Sequence, residues 1–161
     1  MRRLARGPSK TVNVYNGFVI NGFRFHTSDI SANRKTQSDG IMVKGSCCND
    51  SGLDYYGLLS EIVELQYFTK KVVMFKCNWF DTRKDKGGRM IGNGLTQVNI
   101  KSRINSYDPF ILALQATQVF FAKGVTKKDP NWYTVIKTKA RTDYDILQNT
   151  RVDAYQEDQN K

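Results

Sequence analysis

Residues 72–80 constrain this chain more than any other segment. Val73, Phe75, Cys77 and Trp79 alternate there with Val72, Met74, Lys76 and Asn78. A period of two, with β-branched and aromatic side chains on one parity, marks a strand that faces a core on one side. Its backbone donors and acceptors need a neighbour, and the nearest segment in sequence carries the smallest loop-closure cost. That segment is 55–67, reached across the short Thr69-Lys70-Lys71 turn. Its apolar positions fit two periods. Leu58, Leu59, Ile62, Val63 and Leu65 suit a helix face, whereas Leu59, Val63, Leu65 and Tyr67 share strand parity. The need for a hairpin partner decides for strand.

The rest of the chain reads the same way. Val12 and Val14, then Phe23 and Phe25, alternate with polar residues around two Asn-Gly pairs. Only three residues separate those pairs, so one must be a bulge or loop. Asn21-Gly22 is the expected hairpin turn, because both residue types accept positive φ. Residues 28–40 and 45–54 read as loops, 41–43 as a short strand, 81–94 as a Gly-rich basic loop and 95–100 as a strand. Asp108-Pro109 is a helix-start signal and predicts a short helix over 110–115. Residues 118–122 read as extended and 132–140 as a final strand. Six or seven short strands with one short helix and long loops imply a mainly β fold, a small barrel or a pair of packed sheets.

The charge is unevenly spread. Lys and Arg number 25 against 15 Asp and Glu, a net charge of +10, which draws polyanions such as nucleic acid. Residues 1–10 form a basic arm with Arg2, Arg3, Arg6 and Lys10. Residues 11–142 form one β-rich domain, and 143–161 form a polar tail expected to be solvated and disordered. No apolar run approaches the roughly 20 residues of a membrane span, so no membrane partner is expected. The first ten residues lack the apolar stretch of a signal peptide. With three cysteines, Cys47, Cys48 and Cys77, this argues for reduced thiols inside the cell.

Catalytic chemistry has little to stand on. His26 is the single histidine, in a strand context with no partner in view to orient it as a base. His26, Cys47, Cys48 and Cys77 lack the paired spacing of a zinc site. Gly87-Gly88 and Gly92-Asn93-Gly94 lack the strand–turn–helix setting of a phosphate loop. Glu61, Glu64 and Asp81 read as solvated acids. The expectation is a non-enzymatic chain without metal or cofactor.

Two surfaces remain as binding candidates. The nucleic-acid candidates are Arg2, Arg3 and Arg6 in the arm, Arg83, Lys84, Lys86 and Arg89 in the basic loop, and Lys137, Lys139 and Arg141 near the end of the final strand. The last three share parity with Tyr133 and Val135, so one face combines cations with a ring on which a base can stack. The alternative is an edge strand protected by lysines. Tyr55, Tyr56 and Trp79 lie at the open end of the proposed hairpin. They are either an aromatic peptide pocket, able to hold a methylated ammonium, or ordinary core.

The motifs add up to a resemblance. Ala5-Arg6-Gly7-Pro8-Ser9, Asn21-Gly22-Phe23-Arg24-Phe25-His26-Thr27, Thr36-Gln37-Ser38 and Tyr55-Tyr56-Gly57 begin it. Phe75-Lys76-Cys77-Asn78-Trp79-Phe80-Asp81, Val98-Asn99 and Asp108-Pro109-Phe110-Ile111-Leu112-Ala113 continue it. Gln115-Ala116, Gln118-Val119-Phe120 and Val135-Ile136-Lys137-Thr138-Lys139 complete it. Over residues 5–143 the chain resembles the domain of unknown function that lies C-terminal to the transposase region in plant CACTA-type (En/Spm-like) transposon proteins. The resemblance implies a nuclear, transposon-associated protein and no chemistry of its own. The charge makes DNA or chromatin the expected partner, and the resemblance adds a transposase catalytic subunit.

The chain is more distantly similar to bromo-adjacent homology domains, which implies an SH3-like, bromo-adjacent-type barrel. Tyr55 or Tyr56 and Trp79 would match cage positions of the histone-reading members, which adds a histone tail as an alternative partner. Those domains continue with a third aromatic and an Arg-Pro-Glu-Glu run, where this chain has Asp81-Thr82-Arg83-Lys84. A self-association domain working through an exposed sheet edge is the remaining alternative, and the oligomeric state is left open.

Overall fold

The computed structural model describes residues 12–45, 53–84, 86–92, 94–105, 108–124 and 128–140. Eleven strands run through them: β1 (Val12–Tyr15), β2 (Gly17–Ile20), β3 (Phe23–His26), β4 (Gly40–Val43), β5 (Tyr55–Gln66), β6 (Lys71–Trp79), β7 (Gly88–Met90), β8 (Thr96–Asn99), β9 (Phe110–Leu112), β10 (Thr117–Lys123) and β11 (Trp132–Lys137). The strands β7-β8-β11-β10-β4-β5-β6-β9 lie side by side in a curled half-barrel, and β1 adds to β5. The strand pairings are antiparallel. The hairpin β2-β3 forms a separate two-stranded sheet. The fold is mainly β, as the sequence implies.

The β5-β6 hairpin is the spine. Gly57 pairs with Trp79 at one end and Gln66 with Lys71 at the other. The register slips at Ser60, between Leu59 and Glu61, and the Ser60 hydroxyl donates to the Lys76 carbonyl at 3.2 Å. One extra residue turns the strand over. Before it Leu59 faces the first core, after it Ile62 does, and both are fully buried. The single parity expected for Leu59, Val63 and Leu65 therefore breaks. Val63 and Leu65 face outward, paired with the half-exposed Val14 and Val12.

Two cores result. The first gathers Phe18, Ile20, Phe25, Ile41, Val43, Leu59, Ile62, Phe75, Cys77 and Trp79, with β2-β3 laid over the sheet. Phe18 and Phe25 each meet Phe75 edge-on, at 6.1 and 5.1 Å between ring centres. The second gathers Met42, Tyr56, Phe80, Val98, Val119, Phe121 and Val135, under the wing formed by β8, β10 and β11. β4 is buried along its whole length because Ile41 and Val43 point into one core and Met42 into the other.

Asn21 and Gly22 both adopt positive φ, 52° and 76°, and close the β2-β3 hairpin as the sequence requires. Asn16 is the bend where the chain leaves β1 for that hairpin, and its carbonyl accepts the Thr27 N–H at 3.0 Å. Several expectations change. Residues 110–115 are not a helix but β9 followed by a 3-10 turn, Ala113–Gln115. Asp108 does accept the Phe110 N–H at 3.1 Å, yet Phe110 and Ile111 pair with Lys76 and Phe75 on the open edge of β6. The short helix, α1 (Ser28–Ser31), lies instead within the loop expected over 28–40. Buried Asp39 fastens it, accepting from Ser28 Oγ at 2.8 Å and Ser31 Oγ at 3.3 Å. The basic loop contains β7, and the last strand ends at Lys137. Cys77 is a free thiol that burial pushes well above its usual range. Cys47 and Cys48 lie outside the described residues.

Candidate functional site

The basic loop divides by role. Arg83 grips Asp81 with two parallel bonds, Nε to Oδ1 at 2.9 Å and Nη2 to Oδ2 at 2.6 Å. Asp81 is 5 % exposed, and the Arg83 guanidinium holds its carboxyl below the usual carboxylate range. The Arg83 carbonyl also accepts the N–H groups of Lys86, Gly87 and Gly88. Arg89 donates to Asp129 at 3.0 Å and to Gln97 at 2.8 Å, and stacks over Trp132 with its guanidinium 4.1 Å from the ring centre. Both arginines thus hold loops in place through charge-assisted bonds. Lys84 and Lys86 are exposed. Arg2, Arg3, Arg6 and Arg141 lie outside the described residues.

β11 is not an edge strand. It runs between β8 and β10. Val135 is buried in the second core and Tyr133 packs against it, so this parity faces inward rather than offering a stacking ring. Lys137 sits at the strand's end, past the last β8 pair, and is exposed.

Lys139, just beyond, reaches a corner that the sequence does not foretell. With Arg24 on β3 and Arg34 after α1 it lines a polar pocket of about 250 Å³. Thr36, Gln37, Ser38, Gln118 and Thr138 complete most of the wall, and no carboxylate is among its described lining residues. The frame is cross-braced. Gln118 Nε2 donates to the Arg24 carbonyl at 2.7 Å and the Ser38 carbonyl at 3.3 Å. The Thr138 hydroxyl donates to the Gln118 carbonyl at 2.9 Å, and His26 Nδ1 meets Ser38 Oγ at 3.0 Å. His26, 3 % exposed, is thereby built into the wall.

The aromatic candidates separate across the sheet. Tyr55 and Trp79 share one face, 6.1 Å apart between ring centres at 64°. Tyr56 points to the other, is 5 % exposed in the second core, and burial raises its hydroxyl pKa. Trp79 is 7 % exposed and donates Nε1–H to the Pro109 carbonyl at 3.2 Å. Its remaining edge, with Tyr55, Phe110, Ile104, Val43 and Asp108, lines a pocket of about 510 Å³. Phe110 and Asp108 take the places beside Tyr55 and Trp79 that Tyr56 does not. Reading 110–115 as a helix hides Phe110, whereas the strand pairing of Phe110 with Lys76 turns it to the rim.

Among the described residues no three His, Cys, Asp or Glu side chains gather as a metal site, and no helix is long and apolar enough to cross a membrane.

Residues 63–135 match a family described as a domain of unknown function (DUF4216). The matched stretch runs from the end of β5 to Val135 in β11, so it includes Trp79, Asp108 and Phe110 and omits Arg24, Arg34 and Lys139. It is compatible with the transposon-associated resemblance. No curated protein and no solved structure matches the chain.

Proposed function

We propose that this domain is a non-catalytic accessory module of a CACTA-type, transposon-derived protein, working in the nucleus by holding DNA or chromatin through its basic surface. The observation that carries the reading is the convergence of Arg24, Arg34 and Lys139 from three chain segments on one corner, with exposed Lys137 close by in sequence, in a chain of net charge +10. Clustered cations attract a phosphate backbone and release its counterions. Fluorescence anisotropy with duplex DNA is the test. Binding that weakens steeply with salt is expected, and no binding at low salt ends the proposal.

A second reading is a histone-tail or other peptide reader. The Tyr55–Trp79–Phe110 pocket favours it, because its one described charged lining residue is the acid Asp108 in an otherwise basic chain. Aromatic walls with a carboxylate suit a weakly hydrated cation. Titration with methylated and unmethylated histone peptides separates the readings. Phe110→Ala weakens the methylated peptide if this one holds, and equal, unmeasurable binding of both peptides removes it.

A further inference from the structure

We propose that the corner pocket between β3, the segment after α1 and the end of β11 is an oxyanion site that seats one phosphoryl group of a nucleic-acid backbone. This deepens the DNA reading above and rests on it. At about 250 Å³ the pocket falls below the roughly 300–1,000 Å³ of clefts that enclose whole small ligands, so it suits a group rather than a molecule. Its described wall carries three cations, the guanidinium forks of Arg24 and Arg34 and the Lys139 ammonium, together with the Thr36 hydroxyl and the Gln37 amide. The fork of an arginine matches paired phosphate oxygens, and Lys139 adds a point charge.

The backbone beneath these side chains is fixed. Gln118 spends its amide on the carbonyls of Arg24 and Ser38, and Thr138 spends its hydroxyl on the Gln118 carbonyl. These bonds tie the hairpin, the segment before β4 and the ends of β10 and β11 into one frame. The cations are therefore presented from a braced base, so little ordering is needed on binding. A pocket of this kind sets register on the duplex and reads no sequence.

The test compares two double variants with equal loss of charge. Arg24→Gln/Arg34→Gln alters the pocket, and Lys70→Gln/Lys128→Gln removes two exposed cations elsewhere. Thermal unfolding checks that each folds, and Lys139→Gln serves as an independent pocket variant. In salt titrations of DNA binding, the pocket variant lowers the slope by about one unit per cation removed, the control by clearly less. Inorganic phosphate raises the unfolding midpoint of the unmodified protein and not that of the pocket variant. Equal slopes for the two double variants, with DNA still bound, overturn the pocket and leave the DNA reading standing. A phosphate-dependent midpoint lost in the pocket variant, with no DNA bound by the unmodified protein, keeps an oxyanion site for free phosphate. That outcome overturns both its assignment to nucleic acid and the DNA reading.

Discussion

Trp79 illustrates how one side chain serves two ends. Its indole lies opposite Gly57 in the β5-β6 pair, and a Cβ at Gly57 would come within 2.8 Å of the ring. The glycine is needed there because the ring covers its backbone. Packing on that side and the bond to Pro109 on the other fix the indole, so the edge that meets the pocket is held rigid. Trp79→Ala is expected to cost about 3–5 kcal/mol, as for other large-to-small core changes. Trp79→Phe, which keeps most of the ring volume, should lose mainly the hydrogen bond, about 1 kcal/mol. Urea unfolding of the two variants measures both. Comparable, small losses would mean that the ring contributes little to the core.

Asp81 carries the pH prediction at this scale. Its folded pKa is lowered, first by the Arg83 hydrogen bond, so the carboxylate favours the folded state once ionised. The contribution is present above the ordinary aspartate pKa of about 3.9 and fades as pH falls through the depressed value. Arg83 is largely exposed, so the effect is modest. Wild type should lose stability faster than Asp81→Asn as urea midpoints are followed down from pH 5. Parallel curves would show that the pair contributes nothing.

At the scale of elements, the legible parts are those whose cause is local. The Asn21-Gly22 turn needs only two residues that accept positive φ, and it is where the sequence puts it. Gly22→Ala should cost about 1–2 kcal/mol by the strain of a Cβ in the left-handed region, whereas Asn21→Gly should change little. The alternation in β6 is likewise local and is kept. The β5 bulge is not local. Ser60 carries no signal for it, and the inversion arises because β5 must bend to serve two cores. Ile62→Val should therefore cost about 0.5–1.5 kcal/mol, while Val14→Thr, on the outward face, should stay within about 0.5 kcal/mol. Without the bulge, Ile62 would have faced outward.

The Asp108-Pro109 signal failed for a tertiary reason. A six-residue helix is marginal alone, and the edge of β6 offers ladder bonds to the same residues. The aspartate still caps the Phe110 N–H, but it starts a strand. That one change moves Phe110 to the rim of the aromatic pocket. The basic corner was hidden for a related reason. Arg24, Arg34 and Lys139 are far apart in sequence, and only the docking of the hairpin against β10 brings them together. Net charge raises the expectation of a polyanion partner but assigns it no place on the surface.

At the scale of the molecule, the two pockets lie toward opposite ends of β4. Ser38, two residues before Gly40, lines the polar corner, and Val43 lines the aromatic pocket. Val43 lies five residue steps beyond Ser38, up to roughly 16 Å of extended chain, far enough for changes in one to act independently of the other. The competing readings then become separable within one protein. On the proposed readings, naked DNA engages the basic corner and not the aromatic pocket, whose described charged residue is an acid. A nucleosome offers phosphates and cationic tails together. If the domain binds DNA alone, Lys139→Gln should weaken duplex and nucleosome equally and Phe110→Ala should affect neither. If it reads both components, Phe110→Ala should weaken the nucleosome complex alone, and the double variant should lose the sum of the two effects to within about 0.5 kcal/mol. Anisotropy for the duplex and gel-shift titration for the nucleosome give the four affinities needed on each, for wild type, the two single variants and the double. A Phe110→Ala effect on naked DNA would contradict the separation, because it would mean that the two ends of β4 are energetically one site.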